Sequence, residues 1–261
     1  MLSMTLIAAA LAADGEPAPQ RRSRGFAVVE LFTSEGCSSC PPADVLLSDL
    51  VLEAKEKDVA IYAVGFHVPW WDNAAWDDRF SQEAYGERQQ DYGDQLGLEA
   101  IYTPQVVVNG RAQYVGSDTT KVRSAVVRAL AMPPGASLTL TPARPGDGSL
   151  TVQIAARELA GGSLEGVTAH VVVVEDGLMS SVRGGENRGK SLQHDGVARA
   201  FNATSAAAEA SVTLALPDGL NPARARVIGW LQRDRDGVIL AAAEAPFPAA
   251  FPAAPPAAAA D

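Results

Sequence analysis

Cysteine is nearly absent. The 261 residues contain two, Cys37 and Cys40, and only three histidines, His67, His170 and His194. Two thiols exclude a disulfide-dense scaffold and any metal site built from four thiolates. Positive charge is also scarce: 21 Lys and Arg stand against 31 Asp and Glu, a formal net charge of −10. Such a chain lacks the phosphate-neutralising surface of a general nucleic-acid binder, and an anionic membrane surface repels it. Long apolar runs are missing too. The run at Met1–Ala13 is shorter than the ~20 residues that span a bilayer, so no membrane insertion is expected. A hydrophobic share of 47% nevertheless rules out a wholly disordered chain. At ~150 residues per domain, the length fits one large or two ordinary domains.

Met1–Ala13 (MLSMTLIAAALAA) has the hydrophobic stretch and small-residue end of a secretory signal, without the usual basic start. It predicts an exported protein, periplasmic or secreted. Residues 14–25 read as a polar linker, and residues 244–261 as an Ala/Pro-rich flexible tail with Phe247 and Phe251 docking loosely. Residues 26–132 alternate strand and helix. Strand-length apolar runs lie at 26–32, 59–66, 105–108 and 112–115. Helical spacing lies at 42–57, at 74–92, and from a cap at Ser117 or Asp118 to Leu130. That order is β-α-β-α-β-β-α, with the first two strands parallel and Asn109-Gly110 turning the last two into a hairpin. From Ala136 the helical period disappears. About seven strand-length runs between 138 and 242, separated by turns such as Pro145-Gly146-Asp147-Gly148, predict an all-β antiparallel sandwich-like domain over 136–243.

The two cysteines form Cys37-Ser38-Ser39-Cys40 where the first strand ends and the first helix begins. A helix N-terminus offers unpaired N–H groups and partial positive charge, which favour a thiolate. Cys37, at the open end, is placed to attack a disulfide, and Cys40, one turn inside, to resolve the mixed intermediate. Glu35 opposes this by its negative charge. The spacing alone also fits half a zinc site or a purely structural disulfide. A second feature is Thr103-Pro104, just before the third strand. A cis proline facing the cysteines removes a backbone N–H there and lets neighbouring backbone pair with an extended peptide.

On these features, residues 26–131 resemble the thioredoxin-like superfamily. The match is closer to one group. Glu30-Leu31-Phe32-Thr33-Ser34-Glu35-Gly36-Cys37-Ser38-Ser39-Cys40-Pro41-Pro42-Ala43-Asp44 looks like the signature of secreted thioredoxin-like proteins named domain of unknown function 1223. Gly65–Asp72 and Gly184–Lys190 with His194 look like its other two blocks. The resemblance implies an α/β thioredoxin-like domain, here followed by the sandwich-like domain. This chain carries Ser-Ser where thioredoxins carry Gly-Pro, and Pro41-Pro42 directly follows Cys40.

Several other residues bear on the chemistry. His67 follows the second strand and is expected on the same rim as Cys37, to transfer a proton or to complete a copper site with the two thiolates. A loop histidine satisfied by a carbonyl or by Asp72 is the plainer reading. Asp44, one turn after Cys40, is a proton acceptor for Cys40 or a first-turn residue complementing the helix dipole. Trp70, Trp71 and Trp76 line a substrate groove or plug a seam between the two halves. The polar loop from Arg183 to His194 contacts the redox rim or is a solvated hairpin.

Together these features predict an exported thiol–disulfide oxidoreductase. Cys37 and Cys40 would be catalytic, and Thr103, Pro104, Trp70 and Trp71 would meet the substrate. The expected partners are a disulfide- or thiol-containing substrate and a redox partner, with no organic cofactor. The alternatives are copper binding by Cys37, Cys40 and His67, or a binding module braced by a structural disulfide.

Overall fold

Ala27–Thr33 forms β1, a strand whose seven residues are all buried. A run without polar alternation can bury both faces, so this strand belongs inside a sheet covered on each side. The computed structural model describes residues 25–159 and 162–248. After β1 come α1 (Pro41–Lys57), β2 (Ile61–His67), a 3-10 turn at Pro69–Trp71, α2 (Glu83–Gln95), β3 (Gln105–Val108), β4 (Ala112–Val115) and α3 (Thr119–Leu130). The remainder is strand: β5 (Ala136–Ala143), β6 (Ser149–Glu158), β7 (Val167–Glu175), β8 (Leu178–Ser181), β9 (Ser191–His194), β10 (Val197–Ser205), β11 (Glu209–Ala215), β12 (Ala225–Arg233) and β13 (Ile239–Pro246).

The expected fold class, a thioredoxin-like domain followed by an antiparallel sandwich-like domain, is not what the chain forms. Strands from both halves hydrogen-bond into one mixed eight-stranded sheet, in the order β13-β12-β7-β10-β2-β1-β3-β4. The join is made by β2 and β10. Val197 pairs with Gly65 in parallel, and Gly65 N–H donates to Gly196 C=O at 2.8 Å. A free sheet edge exposes a row of unpaired backbone groups, and here each half covers the edge of the other. The second half therefore has no main sheet of its own. Its three-stranded sheet, β11-β6-β5, packs on the shared one through Leu150, Val152, Ile154, Val171, Val173 and Leu231.

The two faces of the first half are covered by different helices. On one, α1 and α3 pack Leu46, Leu47, Leu50, Val122 and Val126 against Val29 and Leu31. On the other, α2 crosses the join. Its Tyr85 and Tyr92 share a core with Phe32 and Phe66 from the first half and with Val172, Ile228 and Trp230 from the second. Arg88 ties the halves by polar contacts as well. Its Nε donates to Glu30 Oε2 at 2.5 Å, and its Nη2 donates to Tyr92 Oη at 3.0 Å and Gln232 Oε1 at 3.1 Å. A buried ion pair needs such additional hydrogen bonds to offset the desolvation of both charges.

Three boundaries differ from the sequence reading. The second helix starts at Glu83 rather than at 74. Before it, Asn73 Oδ1 accepts from Ala75 N–H and Asp72 Oδ1 from Asp78 N–H, so side chains capture backbone groups that a helix would need. At the C-terminal end, β13 runs through Pro246 and Phe247 is buried, within the stretch expected to be tail. The paired strands β8 and β9, which flank the polar loop, are not among the strand-length runs of the sequence. The signal segment, nearly all of the linker, and the tail from 249 with Phe251 lie outside the described residues.

Candidate functional site

The chain leaves β1 at Thr33 and makes a tight turn into α1. Ser34 Oγ accepts from Gly36 N–H, Ser34 C=O accepts from Cys37 N–H, and Cys37 C=O accepts from Cys40 N–H. Cys40 is the N-cap of α1, with proline in the first helical positions, where the missing N–H groups would have had no intrahelical partner. Cys37 and Cys40 are joined as a disulfide. Cys37 Sγ receives two hydroxyl donors, Thr103 Oγ1 and Ser39 Oγ, each at 3.4 Å. Thr103 is fixed in turn by Trp71, whose Nε1 donates to Thr103 Oγ1 at 2.8 Å, and the Thr103–Pro104 bond is cis.

Neither cysteine is exposed: both have 0% of their surface accessible, while Ser38 and Ser39 face solvent. The open-ended Cys37 expected from the sequence is thus corrected. Trp71 packs on Gly36, and the loop between β8 and β9 closes over the turn. Asn187 is wholly buried, and its Nδ2 donates to Glu35 C=O at 2.9 Å and to Cys37 C=O at 2.8 Å. Glu186 accepts from Ser38 N–H at 3.1 Å, and the Ser38 hydroxyl together with that N–H lowers its carboxyl from the ordinary value. The loop passes so close to the 73–76 turn that a Cβ on Gly184 would lie 1.8 Å from Ala75 C=O. Only glycine fits there. The polar loop is therefore a cover for the cysteine turn and not a solvated hairpin.

Beneath the disulfide lies a buried cluster of acids and histidines. His67 ends β2, level with Thr33 of β1, and its Nδ1–H donates to Asp78 Oδ2 at 2.7 Å. Burial alone would depress His67, but Asp78, with smaller help from Asp44 and Glu35, raises it to about 9. Burial opposes ionisation of Asp78, yet His67 and the N–H groups of Glu35 and Phe80 hold it at about 2. The pair is an imidazolium–carboxylate at neutral pH. Asp44 accepts from Thr33 Oγ1 at 2.8 Å, and burial raises its carboxyl above the ordinary value despite His194 and His67 nearby. His194 Nε2 lies 3.4 Å from Glu35 Oε1, both residues almost fully buried.

The sequence-predicted residues separate into two groups. Cys37, Cys40, Thr103, Trp71, His67 and Asp44 converge. Trp70 does not: its Nε1 donates to Gln89 and its ring packs on Gly86, so it braces α2. Trp76 lies against Gly184 and Gly185, sealing the turn to the β8–β9 loop. Among the described residues no three His, Cys, Asp or Glu side chains are arranged to hold a metal ion. Of the copper set expected from the sequence, Cys37 and Cys40 are joined as a disulfide and offer no thiolate in this form, and His67 Nδ1 is hydrogen-bonded to Asp78. Asn187 and His194 belong to the polar loop whose contact with the redox rim the sequence suggests, whereas Asp78 carries no signal in the sequence: no spacing rule marks it, because it arrives from 41 positions beyond Cys37.

No curated protein matches the chain. Among the solved structures that share its fold are two of similar extent. One is a protein of Agrobacterium tumefaciens, 23% identical, with a TM-score of 0.59 over 84% of this chain and 92% of that one. The other is HBP35 of Porphyromonas gingivalis, 14% identical, with a TM-score of 0.63 over 92% of this chain and 80% of that one. A family model described as "protein of unknown function (DUF1223)" matches residues 28–232, from β1 into β12 and so across both halves of the sheet. The chain belongs to this family.

Proposed function

We propose that the chain is an exported thiol–disulfide oxidoreductase that cycles Cys37 and Cys40 between disulfide and dithiol. The observation that carries the reading is the pair of hydroxyl donors, Thr103 and Ser39, on Cys37 Sγ in the turn leading into α1. Donors and a helix N-terminus stabilise sulfur when it carries negative charge, which a merely structural bridge does not need. In the dithiol form, Cys37 thiolate attacks one sulfur of a substrate disulfide and expels the other as thiolate. Cys40, deprotonated, then attacks Cys37 Sγ and expels the second substrate thiolate. The protein ends as the disulfide and the substrate as two thiols, with the two protons passing from the cysteines to the products. Asp44, raised by burial and one turn beyond Cys40, is a suitable acceptor for the Cys40 proton. The signal-like composition of Met1–Ala13 supports export to an oxidising compartment, where such chemistry is used. No helix among the described residues is long and apolar enough to cross a membrane.

A second reading has its own observation: both cysteines are fully covered, as in a structural clasp. Turnover separates the two. With excess reductant and an aromatic disulfide reporter, the oxidoreductase gives catalytic thiol release that Cys37→Ser abolishes. A clasp gives only the uncatalysed rate.

A further inference from the structure

Ten buried side-chain nitrogen and oxygen atoms of the described residues have no hydrogen-bond partner. Six of them gather next to the cysteine turn: both oxygens of Glu35, both ring nitrogens of His194, Trp76 Nε1 and Ser180 Oγ. Buried polar atoms are normally satisfied, so a cluster of orphans implies a missing partner. Glu35, Trp76 and Ser180 line one cavity of about 330 Å³, with the exposed Asp77, Arg79 and Arg183 at its rim. That volume is at the small end of small-molecule sites.

The chemistry of the lining is segregated. At depth, Glu35 is 0% exposed, neither of its carboxyl oxygens has a hydrogen-bond partner, and His194 Nε2, 3.4 Å from Oε1, is too poorly aligned to make one. A carboxylate in that position calls for a donor that carries positive charge. The ligating side chains needed for a metal cation are not grouped there, whereas an ammonium brings its own three donors. Ser180 Oγ is a second acceptor for it. At the rim, Arg79 and Arg183 are not ion-paired among the described residues, unlike Arg88, Arg199 and Arg226. Arg79 donates one Nη2–H to Met179 C=O at 2.9 Å and keeps its other N–H groups; with Arg183 it suits a carboxylate, and Trp76 Nε1–H is a further donor beside them.

We propose that this cavity binds a small zwitterion of the α-amino-acid class, with its ammonium on Glu35 and its carboxylate on Arg79 and Arg183. Glu35 lies two residues from Cys37, so the cavity adjoins the cysteine turn, although neither cysteine lines it. The further step, that the ligand's side chain carries the thiol or disulfide exchanged with Cys37, rests on the dithiol reading.

Calorimetry on the oxidised full-length protein tests the site without any exchange chemistry. The probe is S-methyl-L-cysteine, with its N-acetyl derivative and its methyl ester as controls. The zwitterion binds, each control binds about tenfold or more weakly, and Glu35→Gln weakens the zwitterion by a similar factor. The double variant Arg79→Ala with Arg183→Ala weakens the zwitterion but not the ester. Equal binding of the three probes overturns the assignment, as does no binding up to about 10 mM. If binding fails while reporter turnover proceeds, the pocket assignment falls and the dithiol function stands. If binding follows the prediction and turnover is absent, the pocket stands and the dithiol function falls.

Discussion

Replacing Asp78 with asparagine removes one charge from the buried pair while keeping the side chain's size. In the folded protein Asp78 is 2% exposed and accepts from His67 Nδ1, Glu35 N–H and Phe80 N–H at 2.7, 2.8 and 3.0 Å. The rise of His67 from 6.5 to about 9 corresponds to about 3 kcal/mol at ~1.4 kcal/mol per pKa unit. The depression of Asp78 is the same interaction seen from its partner and is not added. Breaking a buried pair typically costs ~3–5 kcal/mol, so Asp78→Asn is expected to destabilise by about 3 kcal/mol near pH 5.5. The pH dependence carries the sign. A raised histidine contributes fully below 6.5 and loses its contribution as pH climbs through about 9. A depressed aspartate contributes above 3.8 and loses its contribution as pH falls through about 2. The gap between wild type and variant is therefore widest between these limits. By about pH 10 it shrinks toward the ~1 kcal/mol of a lost neutral hydrogen bond. Urea denaturation of both proteins at pH 5.5, 7.5 and 10 measures it. A gap that is the same at pH 5.5 and pH 10 refutes an ionised His67–Asp78 pair.

Asn187→Ala removes two donors to the carbonyls of the cysteine turn, so reduction of the disulfide by dithiothreitol should accelerate roughly tenfold, at about 1–2 kcal/mol for such contacts. An unchanged rate would show that the β8–β9 loop does not control access. Arg88→Ala leaves Glu30 buried without its cation and should cost about 3–5 kcal/mol in a denaturation midpoint experiment; a loss under ~1 kcal/mol contradicts the role given to Arg88. A fragment covering residues 25–132 exposes the free edge of β2 and the apolar face of Phe32 and Phe66. It should aggregate or melt well below the full chain, and a monomeric fragment of equal heat resistance would show that the halves are independent.

Much of the strand content was legible because it was written in side chains. Continuous apolar runs placed β1, β2, β7 and β12, and alternation placed β5, β6 and β11 within a few residues. Asn109-Gly110 marked the β3–β4 turn, and Asp118 caps α3 through Lys121 N–H. The join of the two halves left no such mark. It rests on backbone bonds between β2 and β10, and a strand with both faces buried reads alike at an edge or in the middle of a sheet. That is why two separate units were expected where one sheet forms. The same limit applies to the site. Cys37, Cys40 and His67 announced themselves by motif and by position after a strand. Asp78 has the residue type of an ordinary loop position and joins the site only through His67 and Glu35 N–H, while Asn187 and His194, named in the sequence as part of a polar loop, reach it only because that loop closes over the cysteine turn.

The central claim is that Cys37–Cys40 is a redox couple and not a clasp, and its reduction potential tests this most directly. Equilibration of the full-length protein in graded thiol–disulfide buffers, with the free thiols trapped by alkylation, gives the value. A redox-active pair is expected to titrate reversibly between about −270 and −120 mV, the range of dithiol enzymes. A potential below about −300 mV, typical of structural bridges, would contradict the account.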